Sequence, residues 1–306
     1  MQRKEMGMLL LLASVWGASF LFMRIASPAL GPFFTTEVRV GLAGAVLLLY
    51  AALRGRMPKL RERWKAYLIV GGINAALPFT LICAAELHLN ASLAAILNAT
   101  TPLFTALVVW ASTQERPGRG KAVGLILGVL GVAILVGWSP LPLDGPNLLA
   151  IAFSLLAALC YGIGTTYAGR AFRGVPPLEV AIGQQLGAAV LLLPLALYHF
   201  PKSAPSAPVV WSLLGLSLLC TAVAYLIFYR LVERVGAVKT VTVTFLVPIF
   251  GIIWGVLFLK EEIHATTLIG LAVILGSLLL VNQIALPWPS RLKRLRASKK
   301  ERMEQP

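Results

Sequence analysis

Charged residues are scarce in this chain, and the acidic ones number only 12. Of its 306 residues, 13% are Asp, Glu, Lys or Arg, which is about half of the charged fraction usual in a soluble domain. The apolar residues, 58% of the chain, lie in long unbroken stretches instead of amphipathic stripes. A stretch of roughly 20 apolar residues is long enough to cross the apolar core of a bilayer. The composition therefore excludes a soluble globular domain and predicts an all-α membrane protein.

Sequence motifs for ATP hydrolysis, metal binding and disulfide bonding are also missing. No G-x-x-x-x-G-K-[ST] sequence is present, so we expect no ATP-driven transport by this chain alone. The three cysteines lie inside apolar stretches, which indicates small core residues and no disulfide framework. The three histidines lack the spacing of a local ligand pair, so we expect no metal and no cofactor. No Asp or Glu lies at the centre of an apolar stretch, so the sequence fits facilitated diffusion or exchange at least as well as proton antiport.

Turn residues and charges divide the apolar sequence into ten predicted membrane spans. Their approximate ranges are 7–23, 33–53, 66–85, 91–112, 122–138, 148–169, 178–199, 210–230, 237–258 and 266–284. Because ten is an even number, both termini are expected on the same side of the membrane.

The basic residues predict which side that is. The chain has 27 Lys and Arg and a net charge of +15. Most of them lie in the loops on the side of the termini, whereas the opposite side carries only Arg24, Lys202 and Lys260. This asymmetry follows the positive-inside rule, so both termini are expected in the cytoplasm, and nucleic acid is not an expected partner. Residues 285–306 form a predicted basic cytoplasmic tail, which anchors the chain or binds anionic lipid head groups.

The two halves of the chain repeat one sequence pattern. At an offset of 146 residues and without a gap, Pro102 falls on Pro248 and Glu115 falls on Glu261. Chance matches between apolar runs carry little information, but a proline and a following glutamate at one common offset carry more. The chain is therefore predicted to contain an internal repeat.

Each repeat contains five spans, and the two repeats are predicted to cover residues 7–138 and 148–284. At an offset of 145 residues, Trp16-Gly17 of the first repeat falls on Tyr161-Gly162 of the second. Since five is odd, the two repeats must enter the membrane from opposite sides. Inverted-topology repeats of this kind are typical of secondary transporters, which bind substrate near the midplane between the halves.

Several of these residues also carry a family resemblance. The matching features are the Trp16-Gly17 pair, Arg39, Pro102 with Gln114-Glu115-Arg116, and Pro248 with Lys260-Glu261-Glu262. They resemble the drug/metabolite transporter superfamily, specifically its EamA-type members, over about residues 8–284. The resemblance implies a ten-helix exporter of amino acids or other small metabolites, although related branches carry nucleotide sugars or drugs. The second repeat departs from the pattern, because the position equivalent to Arg39 lies near Gly183 and Gln184.

Polar and aromatic residues deep in the predicted spans are the candidates for substrate binding or gating, because polar groups in a membrane are costly. These candidates are Trp16, Arg39, Asn74, Asn98, Thr101, Pro102, Tyr161, Gln184, Tyr225, Thr244 and Pro248. For each polar residue among them the competing interpretation is an interhelical hydrogen bond, and for Arg39 it is a structural ion pair or a side chain that reaches the interface.

Prolines, glycines and loop glutamates have predicted structural roles. Pro102 and Pro248 each remove a backbone donor and are expected to kink their spans. Gly124 and Gly128 form a G-x-x-x-G pair, which makes the fifth and tenth spans candidate faces of a homodimer. Glu115 and Glu261 are each expected to cap or anchor the helix that follows it.

Three classes of function compete on this evidence. The leading hypothesis is a secondary transporter in the inner membrane that exports amino acids or similar small metabolites by alternating access. A drug or nucleotide-sugar carrier of the same superfamily is the alternative. A membrane-embedded enzyme is the least favoured, because the spans lack catalytic His, Asp or Glu; a channel is the remaining possibility.

Overall fold

The computed structural model of the chain describes residues 3–113, 118–138, 142 and 144–281. Throughout this part the chain is helical, without strands. Among these described residues, nine helices are long and apolar enough to cross a membrane, and a shorter apolar helix follows them. In chain order we number them spans 1 to 10: Arg3–Leu30, Pro32–Leu53, Leu60–Ala85, Ala91–Thr113, Arg119–Gly137, Gly145–Ala171, Pro177–Tyr198, Ala207–Val235, Lys239–Leu259 and Ala265–Val281. The predicted tail, 285–306, lies outside the described residues, as does Glu115.

Local sequence explains where several helices begin and end. Span 1 continues beyond its predicted end with Pro28 inside the helix, and it ends before Gly31, whose φ of 76° is costly for other residues and which precedes a proline. Span 4 begins after Asn90, whose side chain accepts a hydrogen bond from the backbone N–H of Leu93. Asp144 caps the start of span 6 in the same way.

Spans 3 and 8 each contain a π-helical segment, Gly72–Ala76 and Gly215–Val223 respectively. The two segments occupy overlapping positions when the halves are superposed by their sequence offset. Such wider turns expose backbone and redirect side chains, and they are frequent at functional sites. They bring Asn74 and Thr221 into the interior between the halves.

Spans 4 and 9 are both interrupted near a proline. In span 4 the regular helix stops at Asn98 and resumes at Thr101, next to Pro102. In span 9 the interruption falls at Thr242, and Pro248 lies inside the following helical segment. Both spans therefore contain a break, but the breaks do not occupy equivalent positions.

The packing of the spans repeats with the sequence. Span 1 packs against span 9 as span 6 packs against span 4, and span 2 packs against span 8 as span 7 packs against span 3. Spans 2 and 7 pack against each other, and so do spans 5 and 10. Each contact thus has a counterpart in which the two halves exchange places, which is the packing expected of an inverted repeat.

Two equivalent glycines permit close approaches between spans of opposite halves. A Cβ atom at Gly17 of span 1 would lie 2.8 Å from the backbone nitrogen of Gly251 in span 9. A Cβ atom at Gly162 of span 6 would lie 2.9 Å from the backbone nitrogen of Thr105 in span 4. Both distances are shorter than a real contact permits, so only glycine fits at these crossings.

The G-x-x-x-G pair serves contacts within the chain. A Cβ atom at Gly124 would collide with Val281 of span 10, and one at Gly128 with Leu103 of span 4. The opposite face of span 5, with Ile126 and Val129, is exposed as expected of a lipid-facing surface. The glycine pair is therefore occupied by intramolecular packing, and homodimer formation remains a prediction without this support.

Candidate functional site

A cavity of about 740 Å³ lies between the two halves. Its wall includes Thr113 at the end of span 4 and Lys121 at the start of span 5, so it reaches that side of the membrane. Its deepest residues towards the other side include Met23 and Ile82, and it does not extend to the described helix ends beyond them. The predicted topology assigns the reached side to the cytoplasm.

All eleven candidate residues lie on the wall of this one cavity. They are Trp16, Arg39, Asn74, Asn98, Thr101, Pro102, Tyr161, Gln184, Tyr225, Thr244 and Pro248. They come from spans 1 to 4 and 6 to 9, which places residues of both halves around the same space. Their roles in binding or gating remain predictions.

Arg39 is buried at the closed end of the cavity, with 5% of its surface exposed. Its Nε donates a hydrogen bond to Thr221 Oγ1 at 3.1 Å, and its Nη1 lies 3.4 Å from Met23 Sδ. The guanidinium carbon lies 3.6 Å from the centre of the Phe79 ring, within the range of a cation–π contact. No carboxylate oxygen of the described residues lies within 4.0 Å of it. The expected ion pair and the expected extension to the interface are therefore both wrong for Arg39.

An uncharged chain of hydrogen bonds that joins the two halves also lines the cavity. Asn74 Nδ2 donates to Gln184 Oε1 at 2.9 Å, and Gln184 Nε2 donates to Tyr225 Oη at 2.9 Å. The interhelical role that competed with substrate binding thus exists for these three residues. Asn74 nevertheless keeps a buried Oδ1 atom without a hydrogen-bond partner among the described residues, and Asn98 does the same.

Aromatic rings form much of the remaining wall. Trp16 packs against Phe228 with ring centres 5.6 Å apart, and Phe79 lies 6.2 Å from Tyr161. Sequence reasoning missed Phe79 and Phe228. Phe79 was available from the repeat, because it falls on Tyr225 at the offset of 146 residues. No comparable signal distinguished Phe228 from other apolar residues.

Glu261 joins the two halves at the closed side of the cavity. Its carboxylate accepts hydrogen bonds from the backbone N–H of Ala91 at 2.7 Å and of Ser92 at 3.0 Å, and from the Ser92 hydroxyl. A helix start attracts an anion, because its first N–H groups have no partner within the helix. The expectation that Glu261 anchors the helix after it is therefore wrong, since it caps span 4 of the other half.

A second glutamate lies near this contact. Glu86, just after span 3, is fully buried, and neither of its carboxylate oxygens has a hydrogen-bond partner among the described residues. Burial raises the pKa of its carboxyl well above the ordinary range, and Glu261 raises it further, whereas Arg24 and Arg39 act in the opposite direction. Arg24 binds the backbone carbonyl of Glu86 through its Nη1.

The sequence of the chain matches a known family model. The model of the EamA-like transporter family matches the chain twice, over residues 3–137 and 148–283. The chain belongs to the EamA-like transporter family. The duplicated match agrees with two repeats and with the exchange of packing partners between the halves.

Relatives of this EamA-like transporter span nearly its whole length. The uncharacterized transporter YvbV of Bacillus subtilis is 28% identical, covering 90% of each chain. The uncharacterized inner membrane transporter YedA of Escherichia coli is 26% identical, again covering 90% of each chain. A crystal structure superposes with a TM-score of 0.65 at 17% identity, covering 93% of this chain and 98% of that one. That likeness concerns the fold alone.

Proposed function

We propose that this membrane transporter exports amino acids or similar small metabolites by alternating access, with the substrate bound in the cavity between its halves. The observation that carries the proposal is the cavity itself. Residues of both halves line it, and it extends towards one side of the membrane only. Cavities of this size accommodate small organic molecules, which are bound by apolar walls with a few polar groups.

Alternating access requires that the other side can also open. The two halves share one pattern of packing, so exchanging their conformations produces a second state with the opposite opening. In the present state, the contact between Glu261 and the start of span 4 holds the halves together at the closed side. Breaking that contact is therefore a step on the proposed route to the other state.

The proposed location is the inner membrane of a bacterial cell, with both termini in the cytoplasm. The distribution of Lys and Arg supports this orientation. A related protein of E. coli is named an inner membrane transporter, which agrees with the proposed location. In this orientation the cavity faces the cytoplasm, where an exporter loads its substrate.

The chemistry of the wall favours this proposal over its competitors. Among the described residues, no Asp, Glu or His lines the cavity, whereas Arg39 and Lys121 do. A cationic drug would find no countercharge there, and a membrane-embedded transferase would find no acid or base from this set. A small molecule that carries a carboxylate suits the wall better than either.

Counterflow in proteoliposomes tests the proposal. Vesicles that contain the purified protein are loaded with all twenty amino acids, and the uptake of each radiolabelled amino acid is followed against protein-free vesicles. Accelerated uptake of a few amino acids is expected. Stimulated uptake of none would reject the amino-acid assignment, and the same vesicles would then be tested with sugars, nucleotide derivatives and cationic drugs.

A matched pair of variants ties uptake to the cavity. Thr244 lines it, whereas Thr242, in the same span, does not. Both hydroxyls donate only to backbone carbonyls of their own helix, those of Val241 and Lys239 respectively. Thr244→Val is expected to change the counterflow rate or its substrate preference, and Thr242→Val to leave both unchanged.

A further inference from the structure

Arg39 is a buried cation whose immediate partners are all uncharged. A hydroxyl, a thioether sulfur and an aromatic ring surround its guanidinium group. A charge inside a membrane protein is costly unless it is paired, and such residues usually face a partner or a water-filled space. The three neighbours orient the guanidinium, but none of them neutralises it.

One edge of the guanidinium remains available to a ligand. Nε and Nη1 are engaged by Thr221 and Met23, whereas Nη2 makes no hydrogen bond with any described residue. Arg39 lies on the wall of the cavity, at its closed end. The planar donors of an arginine match the oxygens of a carboxylate, and such charge-assisted hydrogen bonds are stronger than neutral ones.

The charges on the cavity wall also favour an anionic ligand. Lys121 lies on the wall near the open side and Arg39 near the closed side, and within the described residues no acidic side chain lies on the wall. Walls of one charge sign concentrate ligands of the opposite sign. A carboxylate is therefore attracted at the entrance and has one fixed cation at the bottom.

We propose that Arg39 binds the carboxylate of the transported molecule, and that the substrates are monocarboxylates, including zwitterionic amino acids, rather than cations. The inference rests on the proposed transport function and adds the chemical group that the site recognises. The equivalent position in the second half, Gln184, carries no charge, so the deep site offers one cation for one anionic group. A pyrophosphate-bearing nucleotide sugar would leave most of its charge without a partner there.

The rest of the wall can bind the other end of a zwitterion. The side-chain oxygens of Asn74 and Asn98 are buried acceptors without partners among the described residues. An ammonium group is a donor with three hydrogens, so it can satisfy such acceptors. Trp16 and Tyr161 lie on the same wall, and their aromatic rings offer an apolar surface to the side chain of such a molecule.

The test measures ligand-dependent melting temperatures of the purified full-length protein in detergent. Three sets of probes are compared: the twenty amino acids, their carboxamides, and a panel of simple monocarboxylates without an amine. Arg39→Gln removes the charge, and Arg39→Lys retains it without the planar geometry. Lys202→Gln is the matched control, because it removes a cation from an exposed position away from the cavity. Unliganded melting temperatures and gel-filtration profiles identify any variant that fails to fold.

One pattern of results supports the proposal. At least one carboxylate probe raises the melting temperature of the wild type, its carboxamide does not, and Arg39→Gln weakens binding about tenfold or more, as loss of a charge-assisted hydrogen bond predicts. Arg39→Lys retains part of the affinity, and Lys202→Gln all of it. Equal shifts with acids and amides, shifts that survive in folded Arg39→Gln, or no shift with any carboxylate would overturn it.

This result is independent of the counterflow experiment. Binding of monocarboxylates through Arg39 without amino-acid counterflow would retain the carboxylate site and reject amino acids as cargo. Counterflow of amino acids that persists in folded Arg39→Gln would retain the transporter and reject Arg39 as the carboxylate site.

Discussion

The two halves of the cavity place equivalent residues in the same contacts but with different chemistry. Arg39 of span 2 and Gln184 of span 7 are equivalent at an offset of 145 residues. Arg39 lies over the ring of Phe79 in span 3, and Gln184 donates to the hydroxyl of Tyr225 in span 8. Phe79 and Tyr225 are themselves equivalent at an offset of 146 residues.

The contacts across the halves follow the same rule. Arg39 donates to Thr221 of the second half, and Gln184 accepts from Asn74 of the first. Thr221 lies one position after the equivalent of Asn74. The shared fold therefore fixes which spans meet and where the polar residue lies, whereas the residue type decides whether that place is charged or neutral. Symmetry of packing and asymmetry of charge can be tested separately.

Breaking the symmetric packing is expected to have the largest effect. Gly17→Ala places a Cβ atom 2.7 Å from Phe250 Cβ and 2.8 Å from the Gly251 backbone nitrogen. Backbone cannot move aside cheaply, so a loss of about 1–3 kcal/mol in stability is expected. Gly7→Ala, in the same span, is the control because nothing lies within 4 Å of its Cβ position. Melting temperatures in detergent measure both.

The equivalent packing of the two halves predicts a second result for the same experiment. Gly162→Ala in span 6 is expected to lower the melting temperature about as much as Gly17→Ala, because both Cβ atoms meet backbone of the opposite half. A melting temperature of Gly17→Ala equal to that of Gly7→Ala would contradict the packing described. Loss at only one of the two glycines would show that the halves are not packed equivalently.

Disrupting the neutral contact is expected to have the next largest effect. Gln184→Leu removes the acceptor of Asn74 and the donor to Tyr225 at once. Interhelical hydrogen bonds in membranes contribute about 0.6 kcal/mol each on average, so the loss of two is expected to cost about 1–2 kcal/mol. A double-mutant cycle with Tyr225→Phe measures the coupling, and the two losses should not add. Strict additivity would mean that the bond to Tyr225 contributes nothing.

The fold was largely predictable from the sequence because it follows from two simple features, the long apolar stretches and the internal repeat. Long apolar stretches identify the spans, and the odd number of spans in each repeat dictates the inverted arrangement. The eleven candidate residues lie on one wall because polar groups in a membrane are confined to interior spaces. The repeat also contained the information that identifies Phe79.

Contacts between distant segments were not predictable. Glu261 pairs with a helix start 170 residues earlier in the chain, and no local pattern indicates which free helix start a loop carboxylate will meet. Arg39 likewise has no carboxylate partner among the described residues, although Glu37 lies only two positions before it in the sequence. Packing of the G-x-x-x-G pair within the chain is also a matter of tertiary structure.

Weakening the contact at the closed side is expected to have a smaller effect on stability and a clear effect on access. Glu261→Gln loses the charge that the first N–H groups of span 4 favour, which is worth about 1 kcal/mol. Cys83 is a natural reporter, because it is fully buried near the closed side. Its reaction with a membrane-impermeant maleimide from outside is expected to become faster in Glu261→Gln, in a chain with Cys160 and Cys220 replaced by serine.

The control for this experiment is Glu262→Gln, one residue further along the same loop and exposed. It removes the same charge from the same loop without touching the described cap of span 4. Equal labelling of Cys83 in both variants would contradict a role of Glu261 in keeping the outer side closed.

The effect of Glu86 depends on pH and is expected to be smallest below about pH 4.3, where the carboxyl is protonated in the folded and the unfolded chain alike. Its raised pKa means that the folded protein holds a proton which the unfolded chain releases at an ordinary pKa of about 4.3. The folded state thus binds more protons, so stability falls as pH rises from about 4.3 towards the folded pKa. Burial sets that upper limit for the most part, while Arg24 and Arg39 lower it and Glu261 raises it. Glu86→Gln mimics the protonated side chain, so its melting temperature should match the wild type at low pH and exceed it increasingly as the pH rises from about 4.3 towards the folded pKa. A difference that stays constant across the pH range would mean that Glu86 keeps the same charge throughout.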